Sequence, residues 1–277
     1  MERERFQELV ARVEAIIPLE DAPALNWVLA ERVHDPAYLA RWRSGEVTHA
    51  EELRLGFGWT PELVIRSAYS AGGTWAATGD ALARGWGLHL GGGTHHAYAD
   101  RAEGFSFLND VVIAARWALD EGRAQRVAVL DLDVHQGNGT ARMLAGEPRA
   151  WTVSLHGAHN YPFEKERSSL DLEFEDGAGD GAYLTALLES ALPSLDAFKP
   201  DLLFHLAGAD VLAGDQFGRL ALTLEGLRAR DAAVYAWARS RGVPLVTVMA
   251  GGYNRDPEQT TLARLATVEE GLRMMRA

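Results

Sequence analysis

The sequence predicts an α/β protein in which a mainly parallel sheet is flanked by helices. Short apolar runs of β type alternate along the chain with longer stretches of helical period, which is the pattern of successive βαβ units. Polar motifs fall at or just past the carboxyl ends of the predicted strands, where parallel sheets form their sites. The 277 residues, of which 47% are hydrophobic, can bury one large core, so we predict a single domain over residues 1–277.

Five apolar runs predict the strands, and the residues that close each helical stretch predict the helices. The strand candidates are residues 86–90, 127–133, 151–155, 202–206 and 245–249. The helix candidates are residues 107–121, closed by Gly122; residues 182–198, closed by Lys199 and Pro200; and residues 224–241, closed by Gly242. The chain before residue 80 is predicted to be mostly helical, with helices that begin at Asp35-Pro36 and at Thr60-Pro61.

Composition argues against several classes of protein and site. The net charge of −12 disfavours sequence-independent nucleic-acid binding, which needs a basic surface, and is compatible with a cationic substrate or partner. Because the chain has no cysteine, any transition metal must be held by histidine, aspartate and glutamate. Residues 1–5 lack the apolar stretch of a signal peptide, and no apolar run is long enough to span a bilayer. We therefore expect a cytoplasmic protein that does not associate with membranes.

The densest cluster of polar residues, at positions 131–139, follows the apolar run 127–130. Because side chains alternate along a strand, Asp131, Asp133 and His135 are expected to lie on one side and to converge on a cation. A strand that ends in a solvated acidic turn would explain most single Asp-x-Asp patterns. Four other segments argue against that explanation, because they supply the rest of the chemistry of a metal-dependent amide hydrolase.

The first of these segments places two adjacent histidines after the glycines at positions 91–93. A glycine run lets the backbone approach a ligand closely, and His95 and His96 offer two imidazoles that titrate near neutral pH. In isolation, adjacent histidines in a loop are often only exposed polar residues.

The other three segments each combine one functional side chain with glycine or other small residues. These side chains are Asp210, a third candidate metal ligand; Tyr253, whose hydroxyl could turn inwards over the site; and Phe105, which could wall a channel. Each of these segments also has an ordinary structural explanation when it is considered alone.

Taken together and in this order, the segments resemble the histone deacetylase superfamily, which also contains acetylpolyamine amidohydrolases and acetoin-utilisation proteins. The resemblance extends from about His34 to Tyr253. Residues 133–139, 159–162 and 213–218 are most similar to class IV deacetylases and their bacterial relatives. The resemblance implies an arginase-like three-layer fold with a mainly parallel sheet of about eight strands, and a site at the carboxyl ends of those strands.

The resemblance further implies a catalytic zinc ion. Its ligands would be Asp133, His135 and Asp210, with a position left open for water and for the substrate carbonyl. The same ligand set would also accept Fe²⁺ or Co²⁺. His96 would act as general base and then as proton donor to the leaving amine, and His95 would be its electrostatic partner.

Three more residues complete the implied catalytic site. Asp131 would accept a hydrogen bond from His95, and Asn138 would face His96. An amide stabilises an imidazolium less than a carboxylate does, so His96 is expected to be neutral and basic at rest. The hydroxyl of Tyr253 would donate to the oxyanion of the tetrahedral intermediate.

The resemblance also implies a structural potassium ion behind the zinc and aromatic walls for an acyl-lysine channel. The potassium positions would be Asp131, Asp133, His135, Ser154 and Leu155. The substrate-binding positions would be Phe105 as one wall, Gly93 on the approach to the histidines, and Tyr161 or Phe163 as the opposite wall.

The predicted function is zinc-dependent hydrolysis of a linear amide, with removal of an acetyl or longer acyl group from acyl-lysine in a peptide or protein, or from a small N-acyl amine. A binuclear manganese ureohydrolase is an alternative on the same fold, but it needs the order Asp-x-His-x-Asp where residues 131–135 read Asp-x-Asp-x-His. A non-catalytic binding or regulatory protein is a second alternative, although such relatives usually lack a ligand or the tyrosine. Acyl chain length, the physiological amine and the oligomeric state stay open.

Overall fold

The computed structural model describes residues 2–275 and contains a six-stranded sheet in which all neighbouring strands are parallel. The strands are β1 (Trp86–His89), β2 (Val127–Asp131), β3 (Ala150–Gly157), β4 (Leu170–Phe174), β5 (Leu202–Leu206) and β6 (Leu245–Val248). Their order across the sheet is β1-β6-β5-β2-β3-β4. The prediction of a parallel sheet flanked by helices is therefore confirmed.

The number of strands differs from the expectation, because the described residues form six strands rather than about eight. The sequence predicted five of them and missed β4, which alternates apolar and acidic residues at the edge of the sheet and is mostly half-buried. Strand β2 ends at Asp131, two residues before its predicted end. The main-chain N–H groups of Asp133 and His135 donate to side-chain oxygens, so the chain turns away from the sheet there.

Helices precede, connect and follow the strands. They are α1 (Glu2–Glu14), α2 (Trp27–Ala30), α3 (Pro36–Ser44), α4 (His49–Leu55), α5 (Pro61–Arg84), α6 (Asp110–Asp120), α7 (Asn138–Leu144), α8 (Asp180–Ala186), α9 (Leu192–Phe198), α10 (Leu224–Arg241) and α11 (Pro257–Met275). A π-helical turn, Leu187–Ala191, joins α8 to α9. Within residues 2–275, none of these helices is long and apolar enough to cross a membrane.

The predicted helix starts agree with the structure to within three residues. Helix α10 has the predicted bounds, because the Thr223 side chain caps its amino end and Gly242 adopts a left-handed conformation at its carboxyl end. Helices α3 and α5 begin at the predicted prolines. The helix predicted from residue 107 begins at Asp110, since Asn109 is its cap. The helix predicted from residue 182 begins two residues earlier, at Asp180.

Alternate residues of strand β2 face two different layers of helices. Ala128 and Leu130 belong to a core cluster that includes residues of α8, α9, α10 and α11. Val127 and Val129 belong to a second cluster, which includes residues of α5 and α6. The sheet is therefore buried on both faces, as a parallel sheet requires, and its carboxyl edge is left for polar residues.

Candidate active site

A cavity of about 640 Å³ opens at the carboxyl ends of β1, β2, β5 and β6, a size that suits a small organic group. The predicted site residues that line it are Gly93, His95, His96, Phe105, Asp133, His135, Tyr161, Phe163, Asp210 and Tyr253. The other predicted residues, Asp131, Asn138, Ser154 and Leu155, are buried and do not line the cavity. The structure thus brings the five predicted segments to one place.

Three side chains at the floor of the cavity form a group that could hold a metal ion. Asp133, His135 and Asp210 each offer a ligand atom, and these atoms lie within 4.8 Å of one another. Nδ1 of His135 is 2.9 Å from Oδ1 of Asp133 and 3.4 Å from Oδ2 of Asp210. Both carboxylates are buried, where a nearby cation is needed to compensate their charge.

The two carboxylate oxygens of Asp210 differ in their hydrogen bonding. Oδ1 accepts a hydrogen bond from the N–H of Val134 at 3.0 Å, whereas Oδ2 is buried and has no hydrogen-bond partner among residues 2–275. Burial and the neighbouring carboxylate of Asp133 raise the pKa of Asp210 to about 7. A metal ion would satisfy this oxygen, and two carboxylates with one imidazole form a ligand set that suits zinc.

Gly251 holds the carboxylate of Asp133 in place and leaves room for that of Asp210, a role that was not recognised in the sequence. Its N–H donates to Oδ2 of Asp133 at 2.7 Å. A Cβ atom at Gly251 would collide with the carboxylates of Asp133 and Asp210. A glycine pair shortly after a strand was the available signal, and here it permits the main chain to approach the two carboxylates.

Arg230, a fully buried residue of α10, holds the ligand-bearing segments from behind the floor. Its Nη1 donates to the carbonyl of Gly208 at 2.7 Å and to the carbonyl of Leu132 at 3.3 Å. Gly208 lies two residues before Asp210, after strand β5, and Leu132 lies one residue before Asp133, after strand β2. The guanidinium therefore fixes the two segments that carry Asp133 and Asp210, while its own charge is paired with the buried carboxylate of Asp231, 2.8 Å from its Nε.

The two adjacent histidines lie beside the metal-binding group, and each has its own partner. Nδ1 of His95 is 2.6 Å from Oδ2 of Asp131, and Nδ1 of His96 is 2.7 Å from Oδ1 of Asn138, the pairs that the resemblance implied. Burial alone would lower the pKa of His95, but nearby carboxylates, chiefly Asp131, raise it to about 9. Burial lowers the pKa of His96 well below its ordinary value, and the neighbouring imidazoles lower it further.

The loop that carries these histidines is held by Asp110, at the start of α6. One carboxylate oxygen accepts from the N–H of Gly93 and the other from the N–H of Thr94, both at 2.8 Å. Gly93 has a φ of +78°, and a Cβ atom there would lie 2.8 Å from Cα of Ala250. Only glycine fits this position, which lies on the approach to the histidines as expected. In the sequence, Asp110 lay within the predicted helix 107–121 and was not identified as a site residue.

The predicted potassium positions lie behind the floor, where strands β2 and β3 run side by side. Asp131 is paired with Ser154 in the register of the two strands, and Leu155 follows on β3. The hydroxyl of Ser154 is 2.9 Å from Nδ1 of His156, a buried residue that the predicted site did not include. The potassium ion itself stays a prediction from the resemblance.

Aromatic rings surround the mouth of the cavity. Phe105, at 48% exposure and a φ of +63°, stacks on Phe57 with ring centroids 5.9 Å apart. Its ring also lies 6.3 Å from the rings of Phe217 and Tyr253. Phe217, which is 51% exposed, was not identified as a site residue, although residues 213–218 carried part of the resemblance. It faces Phe105 across the mouth.

The two candidates for the opposite wall occupy different depths. The ring of Tyr161 lies 5.0 Å from that of His96, and its hydroxyl donates to Oε1 of Glu103 at 2.6 Å. Phe163 is 86% exposed and meets the ring of Tyr161 edge-on at 6.5 Å. Tyr161 therefore forms an inner wall, and Phe163 lies at the rim.

Tyr253 lies between the floor and the mouth, and the carboxylate of Asp215 fixes its backbone. Oδ2 of Asp215 accepts from the N–H of Tyr253 at 2.7 Å. Oδ1 accepts from the N–H groups of Phe217 and Gly218, both at 2.9 Å. The rings of Tyr253 and Phe217 meet edge to face at 5.5 Å. Asp215, which was not singled out in the sequence, thus connects the Tyr253 segment to the mouth.

Comparisons with known proteins agree with this geometry. Residues 1–268 match the family model of the histone deacetylase domain. The chain is 31% identical to a histone deacetylase-like amidohydrolase of Pseudomonas aeruginosa, over 282 residues that cover 94% of this chain and 72% of that protein. It is 36% identical to histone deacetylase 2 of Arabidopsis thaliana, over 185 residues that cover 66% of this chain and 48% of that protein.

A solved structure shares the whole architecture. The crystal structure of an acetylpolyamine aminohydrolase from Burkholderia pseudomallei superposes with a TM-score of 0.79, and it covers 98% of this chain and 90% of that one. The two sequences are 24% identical, so this likeness shows a common fold.

Proposed function

The chain belongs to the histone deacetylase family, and on that premise we propose that it is a zinc-dependent amidohydrolase. It removes an acetyl or longer acyl group from acyl-lysine or from a small N-acyl amine. One observation carries this proposal: the group of Asp133, His135 and Asp210 lies beside the pair of His95 and His96 at the floor of one cavity.

Asp133, His135 and Asp210 would hold the metal ion. When bound, zinc polarises the amide carbonyl and lowers the pKa of water. The unsatisfied Oδ2 of Asp210 supports a cation at this place, and the family resemblance favours zinc over Fe²⁺. The described residues contain one such three-residue group, which supports a single metal rather than a binuclear manganese site.

His96 takes the proton of the attacking water at Nε2 and then gives it to the nitrogen of the leaving amine. Its Nδ1 faces a carbonyl oxygen, Oδ1 of Asn138, so the resting proton lies on Nδ1 and the lone pair on Nε2. The low pKa of His96 keeps the ring neutral. His95 stays protonated beside Asp131 and stabilises negative charge that develops on the substrate.

The remaining cavity residues bind and orient the substrate. The hydroxyl of Tyr253 donates to the oxyanion that forms on the carbonyl oxygen when water adds to the carbonyl carbon. Phe105, Phe217 and Tyr161 enclose the aliphatic stem of the acylated amine, which is the part of the substrate that aromatic rings bind best. A potassium ion at Asp131 and Ser154 would have a structural role behind the floor.

The proposal is tested with zinc-loaded protein and a panel of fluorogenic peptides that carry acetyl-, trifluoroacetyl-, octanoyl- or myristoyl-lysine, together with N-acetylputrescine. We expect cleavage of at least one member, inhibition by a hydroxamate, and no cleavage by metal-stripped protein. If protein that holds one zinc per chain cleaves none of them, the proposed substrate class is wrong. Cleavage that survives removal of the metal would contradict the mechanism.

A further inference from the structure

Glu103 lies next to the general-base histidine, yet the proposed mechanism gives it no role. Its side chain is 15% exposed, and Nε of Arg101 lies 3.2 Å from its Oε2. Oε1 accepts from Nδ2 of Asn138 at 3.1 Å and from the hydroxyl of Tyr161 at 2.6 Å. Because Oδ1 of Asn138 is 2.7 Å from Nδ1 of His96, a chain of hydrogen bonds runs from Glu103 through Asn138 to His96.

The direction of this chain follows from which atoms can donate. A carboxylate has only acceptor atoms, so the group of Asn138 that faces Glu103 must be the NH₂. The carbonyl oxygen of the amide then faces His96, and since that oxygen has no proton, Nδ1 of His96 must carry one. The lone pair of His96 is left on Nε2, the nitrogen that lies 3.1 Å from Nε2 of His95.

Without an acceptor-only neighbour, the Asn138 amide loses its fixed orientation, and only the N–H of the protonated His95 at Nε2 still favours a lone pair on Nε2 of His96. A side-chain amide has a donor end and an acceptor end of nearly the same shape, and it can turn over in its place. Asn138 would then present its NH₂ to Nδ1 of His96. That orientation favours the tautomer with the proton on Nε2, which cannot accept the proton of water.

We propose that Glu103 is a positioning residue that fixes the orientation of the Asn138 amide and thereby the tautomer of His96 in which Nε2 can accept a proton. This inference rests on the proposed function, because it assigns the general base to His96. It adds a third member to the pair of His96 and Asn138 that the family resemblance implied.

A tight turn holds Glu103 in this position. The N–H of Glu103 donates to the carbonyl of Ser106 at 3.0 Å, and the N–H of Ser106 donates to the carbonyl of Glu103 at 2.9 Å. Both residues between them, Gly104 and Phe105, are left-handed, as in the primed turns of hairpins. A Cβ atom at Gly104 would lie 2.6 Å from Cδ2 of His96, so glycine lets the turn pack directly against the imidazole.

The test uses Glu103→Gln, which keeps the shape of the side chain but makes it a donor as well as an acceptor. We expect kcat to fall roughly 10- to 100-fold, the range typical of residues that orient active-site groups, with KM and zinc content unchanged. Adding Asn138→Asp should restore most of kcat, because a carboxylate accepts from Nδ1 of His96 in either orientation. If the double variant stays as slow as Glu103→Gln, the proposal is overturned.

Arg101→Gln is the matched control, because it removes the partner of Oε2 and leaves the Glu103 carboxylate in place. We expect a kcat close to that of the unmodified protein. If Arg101→Gln lowers kcat as much as Glu103→Gln does, the ion pair between Arg101 and Glu103, and not the orientation of Asn138, controls kcat.

A second measurement separates this inference from the proposed function. In zinc-loaded protein, the ¹⁵N shifts of the His96 ring report which nitrogen is protonated, whether or not a substrate is cleaved. We expect the Nδ1–H tautomer in the unmodified protein and a clear Nε2–H population in Glu103→Gln. If the tautomer is the same in both proteins, the inference fails even where the enzyme is active; if it shifts and no substrate is cleaved, the proposed function fails instead.

Discussion

The floor and the mouth of the cavity are held by different kinds of contact. At the floor, Asp133 and Asp210 are buried and accept hydrogen bonds from main-chain N–H groups. At the mouth, Phe105 and Phe217 are about half exposed and touch mainly other rings. Hydrogen bonds are directional, whereas ring contacts allow a range of geometries. From this contrast we expect the floor to determine the reaction and the mouth to determine which substrates undergo it.

The largest effect is expected at the floor, with Asp210→Asn. This change removes a charge from the metal-binding group, so zinc binding should weaken. Because a catalytic metal stabilises the transition state by several kcal/mol, turnover should fall about 10³-fold for every substrate. Metal analysis after dialysis and turnover of the acyl-lysine panel are the measurements. Asp80→Asn, on the exposed side of α5, is the control. Stoichiometric zinc in dialysed Asp210→Asn protein would remove Asp210 from the ligand set.

An intermediate effect is expected where the floor meets the mouth, with Tyr253→Phe. Loss of one hydrogen-bond donor to an oxyanion typically lowers kcat by about 10²–10³. Because the ring remains, its contacts with Phe105 and Phe217 should persist, and zinc content and thermal stability should not change. Tyr69→Phe, an exposed tyrosine of α5, is the matched control. Turnover close to normal in Tyr253→Phe would exclude the hydroxyl from the mechanism.

The smallest effect is expected at the mouth, with Phe217→Ala. Because this ring is half exposed, its contact with a substrate is worth about 1 kcal/mol, or roughly fivefold in kcat/KM. The loss should differ between acetyl- and octanoyl-lysine, because the two place different apolar areas against the ring. Phe163→Ala, at the more exposed rim, should change kcat/KM less. An equal loss of kcat/KM on all substrates would mean that Phe217 affects the reaction itself, as the floor residues do, and would contradict the contrast between floor and mouth.

Sequence reasoning reached the side chains of the site more readily than the contacts that position them, and the reason is the distance along the chain. Asp131 ends strand β2, and Asp133 and His135 follow it directly, so their proximity is a local property. The hydrogen bond from Gly251 to Asp133 joins residues 118 positions apart, and that from Asn138 to Glu103 joins residues 35 apart. Such pairs are decided by the packing of separate loops, which no local pattern encodes.

The same distinction applies to the fold. Helix α10 was predicted to its last residue, because Thr223 and Gly242 are local capping signals. Strand β4 was missed, because an edge strand owes its pairing to β3 and shows little apolar pattern of its own. The expectation of about eight strands came from the family resemblance, and the part of the chain that the structure describes forms six.

Arg230 gives helix α10 a part in the site, although α10 contributes no residue to the cavity lining. Until α10 packs against the sheet, the carbonyls of Leu132 and Gly208 lack this donor. A buried carbonyl left without a donor costs about 1–3 kcal/mol. If the floor binds a metal ion as proposed, we expect its affinity for that ion to depend on the packing of α10 against the sheet.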